Sequence, residues 1–236
     1  MRGFLAATFL AATFFHSLVA FSLGAATCNS SALDTRTYLY NITEEGTTVF
    51  DVARITKRGV CDIGRHNLMA DVTILPNVGE SFIIPPQTCY PDNESCLIKD
   101  EGRTRTCIYG GPRLYYTVNG DTYEKIAIRL NITTESLING GPSGSPSASA
   151  NDTLPVGQFL KVPQCSPSQC VIQPYSFKWG VYKDLAERYG TTVGQIMMLS
   201  PTYNYSSVAF SSGGTFPPIS LPINCTALSK NITILS

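Results

Sequence analysis

The chain is short of the side chains that most catalysis needs. Among 236 residues there are 2 His. His16 lies in an apolar N-terminal stretch, which leaves His66 as the one imbedded candidate base. A Ser or Cys nucleophile needs such a base beside it. His66 falls near the end of a short helical pattern, where a surface or packing role is the simpler reading. The carboxylates Glu44, Glu45, Asp51, Asp121, Glu124, Asp184 and Glu187 sit in helix caps or on exposed helix faces. They do not form the facing pair that glycoside hydrolysis requires. Neither charge sign is in excess, with 17 Lys and Arg against 17 Asp and Glu. Nothing therefore attracts a polyanion, and nucleic acid is excluded as a partner. Gly110-Gly111-Pro112 and Gly213-Gly214 are turn signals, not phosphate loops. Past residue 26 no run approaches the ~20 apolar residues that span a bilayer, so no membrane partner is expected. The composition predicts no enzyme, no cofactor and no metal.

Cysteine, by contrast, is plentiful. All 8 Cys follow residue 26. Residues 1–26 carry Arg2, an apolar run from Phe4 to Ala20 and the small residues Gly24, Ala25 and Ala26, which read as a signal peptide. Export implies an oxidising compartment, where cysteines pair with each other instead of holding zinc. Sequons at Asn29, Asn41, Asn93, Asn131, Asn151, Asn204 and Asn231 point to a glycosylating secretory route. Asn224 also opens a sequon, but its middle residue is Cys225. The chain is expected outside the cell, secreted or attached to a wall.

One stretch organises the rest. Leu114–Leu130 reads LYYTVNGDTYEKIAIRL. Alternation over Leu114–Val118 predicts a strand. Gly120 and Asp121 break it, and Asp121 with Glu124 resembles a capping box. Tyr123, Ile126, Ala127 and Leu130 then form one apolar helix face. Upstream, Thr48 and Asp51 cap a helix with Val49, Val52 and Ala53 inside. Downstream, Tyr182, Leu185, Ala186 and Tyr189 repeat the spacing. Each helix precedes a second helical stretch and a strand ending near proline: Ser81–Cys89, Gln158–Cys165 and Ile219–Cys225. Three copies of strand, helix, helix, strand make an internal repeat. The predicted organisation is signal 1–26, repeats at 36–89, 113–165 and 171–225, a linker at 90–112, a low-complexity mobile insert at 140–153 and a tail at 226–236.

The pattern Tyr-x-Val-x-x-Gly-Asp-Thr, then Ile-Ala, then Leu-x-x-Gly before Val-Pro, resembles the LysM domain. It matches at Gly120, Asp121, Thr122, Ile126, Ala127, Leu154, Gly157, Val162 and Pro163. The cysteine pattern around the first copy is similar to that of secreted fungal LysM proteins. The resemblance implies an α+β fold of three tandem βααβ units, each stapled by a disulfide. Of 105 possible pairings, one bridge per repeat gives Cys28–Cys89, Cys107–Cys165 and Cys170–Cys225, with Cys61–Cys96 left over. The resemblance also implies a groove for N-acetylglucosamine oligomers between the first turn and the loop before the closing strand. In the first repeat that places Gly46, Thr47, Thr48 and Val49 opposite Asp71, Val72 and Thr73. In the second it places Gly120, Asp121, Thr122 and Tyr123 opposite Ile138 and Asn139. In the third it places Trp179, Gly180 and Tyr182 opposite Pro201, Thr202 and Tyr203.

Such turns offer backbone donors and acceptors to a neutral amide sugar, which needs no charged pocket. The expected partners are chitin and its oligomers, with ligand-bridged self-association as a further possibility. In fungi such a protein would sequester chitin fragments or shield the wall from host recognition. The competing class is an adhesive wall protein, or the binding part of a chitin or peptidoglycan hydrolase. Glycans on Asn151 and Asn204 are expected to crowd the second and third grooves.

Overall fold

A computed structural model describes residues 28–103, 107–108, 113–139, 149–200 and 218–227. The signal at 1–26, Gly140 to Gly144 and the rest of the insert up to residue 148, Pro201, Thr202, Tyr203, Asn204 and Asn231 lie outside them. The elements are β1 (Tyr38–Asn41), α1 (Val49–Thr56), α2 (Val60–His66), β2 (Ser81–Ile84), β3 (Cys107–Ile108), β4 (Leu114–Tyr116), α3 (Tyr123–Leu130), α4 (Thr134–Asn139), β5 (Phe159–Lys161), β6 (Gln164–Cys165), β7 (Gln169–Tyr175), α5 (Tyr182–Tyr189), α6 (Val193–Leu199) and β8 (Ile219–Thr226). Mixed helix and strand content with four disulfides makes this an α+β protein.

Strand pairing follows the chain in short steps. β1 pairs with β2, β4 with β5 and β7 with β8, all antiparallel. Two helices lie between the strands of each pair. The linker region contributes β3, which pairs with β6 and so sets Cys107 opposite Cys165. The helices α1, α3 and α5 each run eight residues and stop at a left-handed residue, Lys57, Asn131 and Gly190. That conformation closes the last turn and is least strained for Gly and Asn.

Local capping is as predicted for α1 and different for α3. Thr48 and Asp51 form a reciprocal capping box, with each side chain accepting from the other residue's N–H. In α3 the cap is Thr122, whose hydroxyl accepts from the Lys125 N–H. Asp121 is drawn inward to a buried cation instead, and Glu124 turns to Arg103 and Thr134. The end of the insert meets α3. Ala150 accepts from the Glu124 N–H, and Thr153 bridges Thr122. The free amides at a helix start need partners, and residues 149–153 supply one to α3.

Two cores hold the molecule. One lies in the first unit and contains Val49, Val52, Ile63, Met69, Phe82 and Ile84, joined by Val181 from the third. The other is shared: Tyr115, Ile126, Leu130 and Leu137 of the second unit pack with Tyr182, Leu185, Ile196 and Leu221 of the third. Leu68, Ala70 and Ile74 of the first unit enter it too. Gly194 lets α6 approach α3, because a Cβ there would lie 2.6 Å from Leu130 Cδ2 and 3.1 Å from the Arg129 carbonyl carbon.

The disulfides are Cys28–Cys89, Cys61–Cys96, Cys107–Cys165 and Cys170–Cys225, across separations of 61, 35, 58 and 55 residues. Closing loops of such length contributes about 2–4 kcal/mol each, together comparable with the roughly 5–15 kcal/mol net stability of a domain. Thiol titration of the denatured, unreduced protein is therefore expected to find no free thiol. Full reduction is expected to abolish the cooperative thermal transition. Two or more reactive thiols in the unreduced protein would contradict this framework.

Candidate functional site

The first unit presents an open turn. Gly46 adopts φ 81°, is exposed and has nothing within 4 Å of a Cβ position. Thr47 folds back, its hydroxyl donating to the Glu44 carbonyl at 2.8 Å. Thr48 is occupied by its cap, and Val49 is in the core. On the loop after α2 Thr73 is exposed, whereas Asp71 and Val72 are buried. Val49 and Val72 share one apolar cluster. Both side chains are therefore buried in the core and unavailable to a ligand.

Asp71 has a different task. The Arg129 guanidinium, 2 % exposed, donates through Nε to Asp71 Oδ2 at 2.6 Å and through its NH1 nitrogen to Asp121 Oδ1. The same nitrogen donates to the Tyr115 hydroxyl at 3.1 Å. Asp71 comes from the first unit, and the other three come from the second. A cation is thus enclosed by two carboxylates and a phenol at the junction. Burial pushes the Asp71 carboxyl upward, but the Arg129 charge and hydrogen bonds from Arg129 and Thr73 hold it below the ordinary carboxylate range. Burial also raises the Tyr115 phenol. Asp121 and Asp71, expected as sugar contacts, are structural here because a buried guanidinium demands anionic partners. Next to them the Leu75 N–H donates to the Asn119 carbonyl at 3.3 Å. The loop after Asp71 thus abuts the turn at Asn119 and Gly120.

In the second unit Gly120, Thr122 and Tyr123 are half-buried. Gly120 has φ 79°, and a Cβ on it would lie 3.1 Å from Leu75 Cβ. Ile138 is half-buried and Asn139 exposed. Ile138 borders an open cavity of about 520 Å³ that Arg103, Glu124, Thr133, Thr134 and Ala150 also line. The structure does not bring Gly120 or Asp121 to that cavity. Arg103 and Glu124 are paired there, Arg103 donating from its NH2 nitrogen to Glu124 Oε1 at 2.5 Å.

The first turn of the third unit is docked on the first unit. The Gly180 N–H donates to the Arg65 carbonyl at 3.1 Å and the Tyr182 N–H to the Met69 carbonyl at 3.3 Å. Gly180 and Tyr182 are buried, so neither presents a free donor to a sugar. Arg65 grips Asp184 with two bonds, Nε to Oδ2 at 3.0 Å and the NH2 nitrogen to Oδ1 at 2.9 Å. It also donates to Asp92 Oδ2 at 2.7 Å. Burial alone would raise the Asp184 carboxyl, yet the Arg65 hydrogen bonds hold it low. Trp179 remains 62 % exposed, with the Arg65 guanidinium 5.7 Å from its ring centroid, a cation–π contact. The opposite wall, Pro201, Thr202 and Tyr203, lies outside the described residues. Of the glycan sites, Asn29, Asn41, Asn93 and Asn151 are exposed and Asn131 is half-buried.

Arg65 and Arg129 escaped the sequence reading. Each occupies the last turn of a helix, where a cation reads as a solvated partner of the helix dipole. The available signal was Arg129's place between Ile126 and Leu130 on the apolar face of α3. Trp179 is the single tryptophan, so its emission reports this junction. Arg65→Ala is expected to shift that emission and to lower stability by about 2 kcal/mol, the scale of charge-assisted bonds. Arg65→Lys should recover part of the charge but not the two-bonded grip. Unchanged emission and melting in both variants would contradict the docking described.

Sequence comparison decides the family. The chain is 45 % identical over 209 residues to Secreted LysM effector LysM13 of Penicillium expansum, covering 88 % of this chain and 87 % of that protein. The chain belongs to the secreted LysM effectors. It is also 34 % identical over 211 residues to Secreted LysM effector ECP6 of Passalora fulva, covering 87 % and 86 %. With Secreted LysM effector ELP2 of Colletotrichum higginsianum it shares 35 % over 120 residues, 51 % of this chain and 64 % of that one. No family model matches the chain. Among the described residues of this LysM effector, no helix is long and apolar enough to cross a membrane.

Proposed function

We propose that this LysM effector is a non-catalytic chitin binder built from three tandem LysM units, at 36–89, 113–165 and 171–225. It holds N-acetylglucosamine oligomers and so keeps chitin fragments, or the wall itself, from host recognition. The observation that carries the reading is the family match along nearly nine-tenths of the chain. The open turn at Gly46 and Thr47 suits a neutral amide sugar. Exposed Trp179 supplies a ring for stacking. Asp71, Asp121, Gly180 and Tyr182 act on this reading as positioning residues that fix one unit against another, and Val72 as a core residue of the first. Backbone hydrogen bonds join neighbouring units at Leu75 and Asn119 and at Arg65 and Gly180. That favours one chitin chain shared between units. A pull-down against insoluble chitin, chitosan, cellulose and peptidoglycan tests the reading, with an assay for released sugar alongside. Depletion by chitin without sugar release is expected. Retention by peptidoglycan alone, or release of soluble sugar, would replace it.

A further inference from the structure

A second concavity lies away from the LysM turns, between the β4–β5 pair and the elements α6, β7 and β8. It measures about 390 Å³, and Leu114, Phe159, Ile172, Met198 and Leu199 form its apolar walls. Phe159 is 63 % exposed and Ile172 49 %. Large apolar side chains gathered at one exposed place mark a binding surface more often than chance.

Two polar groups in this cavity lack what their chemistry asks for. Ser168 is 3 % exposed, and its Oγ has no hydrogen-bond partner. Its backbone is engaged on both sides, the N–H with the Thr226 carbonyl and the C=O with Arg113. A buried hydroxyl left unmet costs about 1–3 kcal/mol. Arg113 is half-buried and donates through one nitrogen to that carbonyl, a neutral acceptor. It pairs with no carboxylate among the described residues, and burial pushes its pKa down. An arginine nevertheless keeps its charge. Every other buried or half-buried arginine discussed above faces a carboxylate. Gln195, on the same wall, is satisfied by Pro167 and Thr191.

We propose that this cavity binds a small amphiphilic carboxylate, with the head on Arg113 and Ser168 Oγ and an aliphatic chain along Leu114, Phe159, Ile172 and Leu199. The charge of Arg113 selects an anion, and the unmet hydroxyl supplies a second donor. A neutral sugar would satisfy neither the charge nor the apolar walls. The volume falls within the range of about 300–1,000 Å³ found for small-molecule sites, enough for a chain of roughly ten to twelve carbons.

The full chain is to be titrated calorimetrically with dodecanoate below its micelle concentration. Dodecanol and dodecyltrimethylammonium serve as neutral and cationic probes of equal length. One dodecanoate per chain is expected, bound at least tenfold more tightly than either control. Arg113→Gln is expected to erase that preference, while Phe159→Ser, at an exposed position, weakens all three probes. Near-ultraviolet circular dichroism verifies that each variant is folded. The proposal fails if dodecanoate does not bind the folded chain, or if its preference survives Arg113→Gln. It fails equally if sedimentation shows a dimer that Phe159→Ser dissociates, because a second copy would then cover the cavity. Chitin retention, measured on the same samples, is independent of every one of these outcomes.

Discussion

Replacement of Arg129 by Met is expected to cost about 3–5 kcal/mol, the usual penalty for leaving a buried charge without its partner. Two carboxylates, Asp71 and Asp121, would then share one site with no cation, together with the Tyr115 hydroxyl. Chemical denaturation of the wild type and variant measures the loss directly. The triple replacement Arg129→Met, Asp71→Leu, Asp121→Leu should recover much of it, since buried ion clusters exchange for apolar ones with little net loss. The acid side has a fixed sign. The Asp71 carboxyl is held below its ordinary value in the folded state, so its contribution is complete above about pH 4. It fades as pH falls further, through the folded value. Asp184 has the same sign at the other junction. Wild-type melting should therefore drop faster below about pH 4 than that of the triple variant. Equal slopes would remove the network from the account of stability.

Affinity for chitin oligomers is expected to rise by about 10²–10⁴ between roughly four and eight sugars, the gain available when two weak sites share one ligand. One shallow turn excludes little water and binds weakly. Docking through Arg65 and Arg129 sets the units in fixed relation, so little ordering entropy opposes the second contact. Substitutions of Asp121 or Asp71 cannot test this, because they break the junction itself. Trp179→Ala and Asn139→Arg, both at exposed positions, are better probes. A variant in a participating unit should keep tetramer affinity and lose the advantage of the octamer. A smooth rise proportional to length, unaffected by either variant, would point to a single extended groove.

Much of the local architecture could be read from residue spacing. The apolar face of α3 follows from Ile126, Ala127 and Leu130, all buried, and that of α5 from Tyr182, Leu185 and Ala186. The Thr48–Asp51 box and the bracketing cysteines were equally legible, since each depends on residues a few positions apart or on the ends of one repeat. What escaped is long-range. Asp71 and Arg129 are 58 residues apart, and Arg65 and Asp184 are 119 apart. No periodicity joins such pairs. The motif residue Asp121 was visible, but its partner was not, so its task was read as capping and sugar contact. Trp179 was expected only as a groove residue, and the structure adds a partner that spacing does not show, Arg65 over its ring. The half-buried Arg113 and unmet Ser168 arise only when β4 and β7 are brought together, and no local pattern announces them.

The most direct measurement is isothermal calorimetry of the deglycosylated, oxidised protein with a chitin octamer, paired with depletion of the protein from solution by insoluble chitin. The account predicts measurable heat, much tighter binding than with the tetramer, and loss of the protein to the solid. No heat with the octamer, and a protein left wholly in solution, would contradict it.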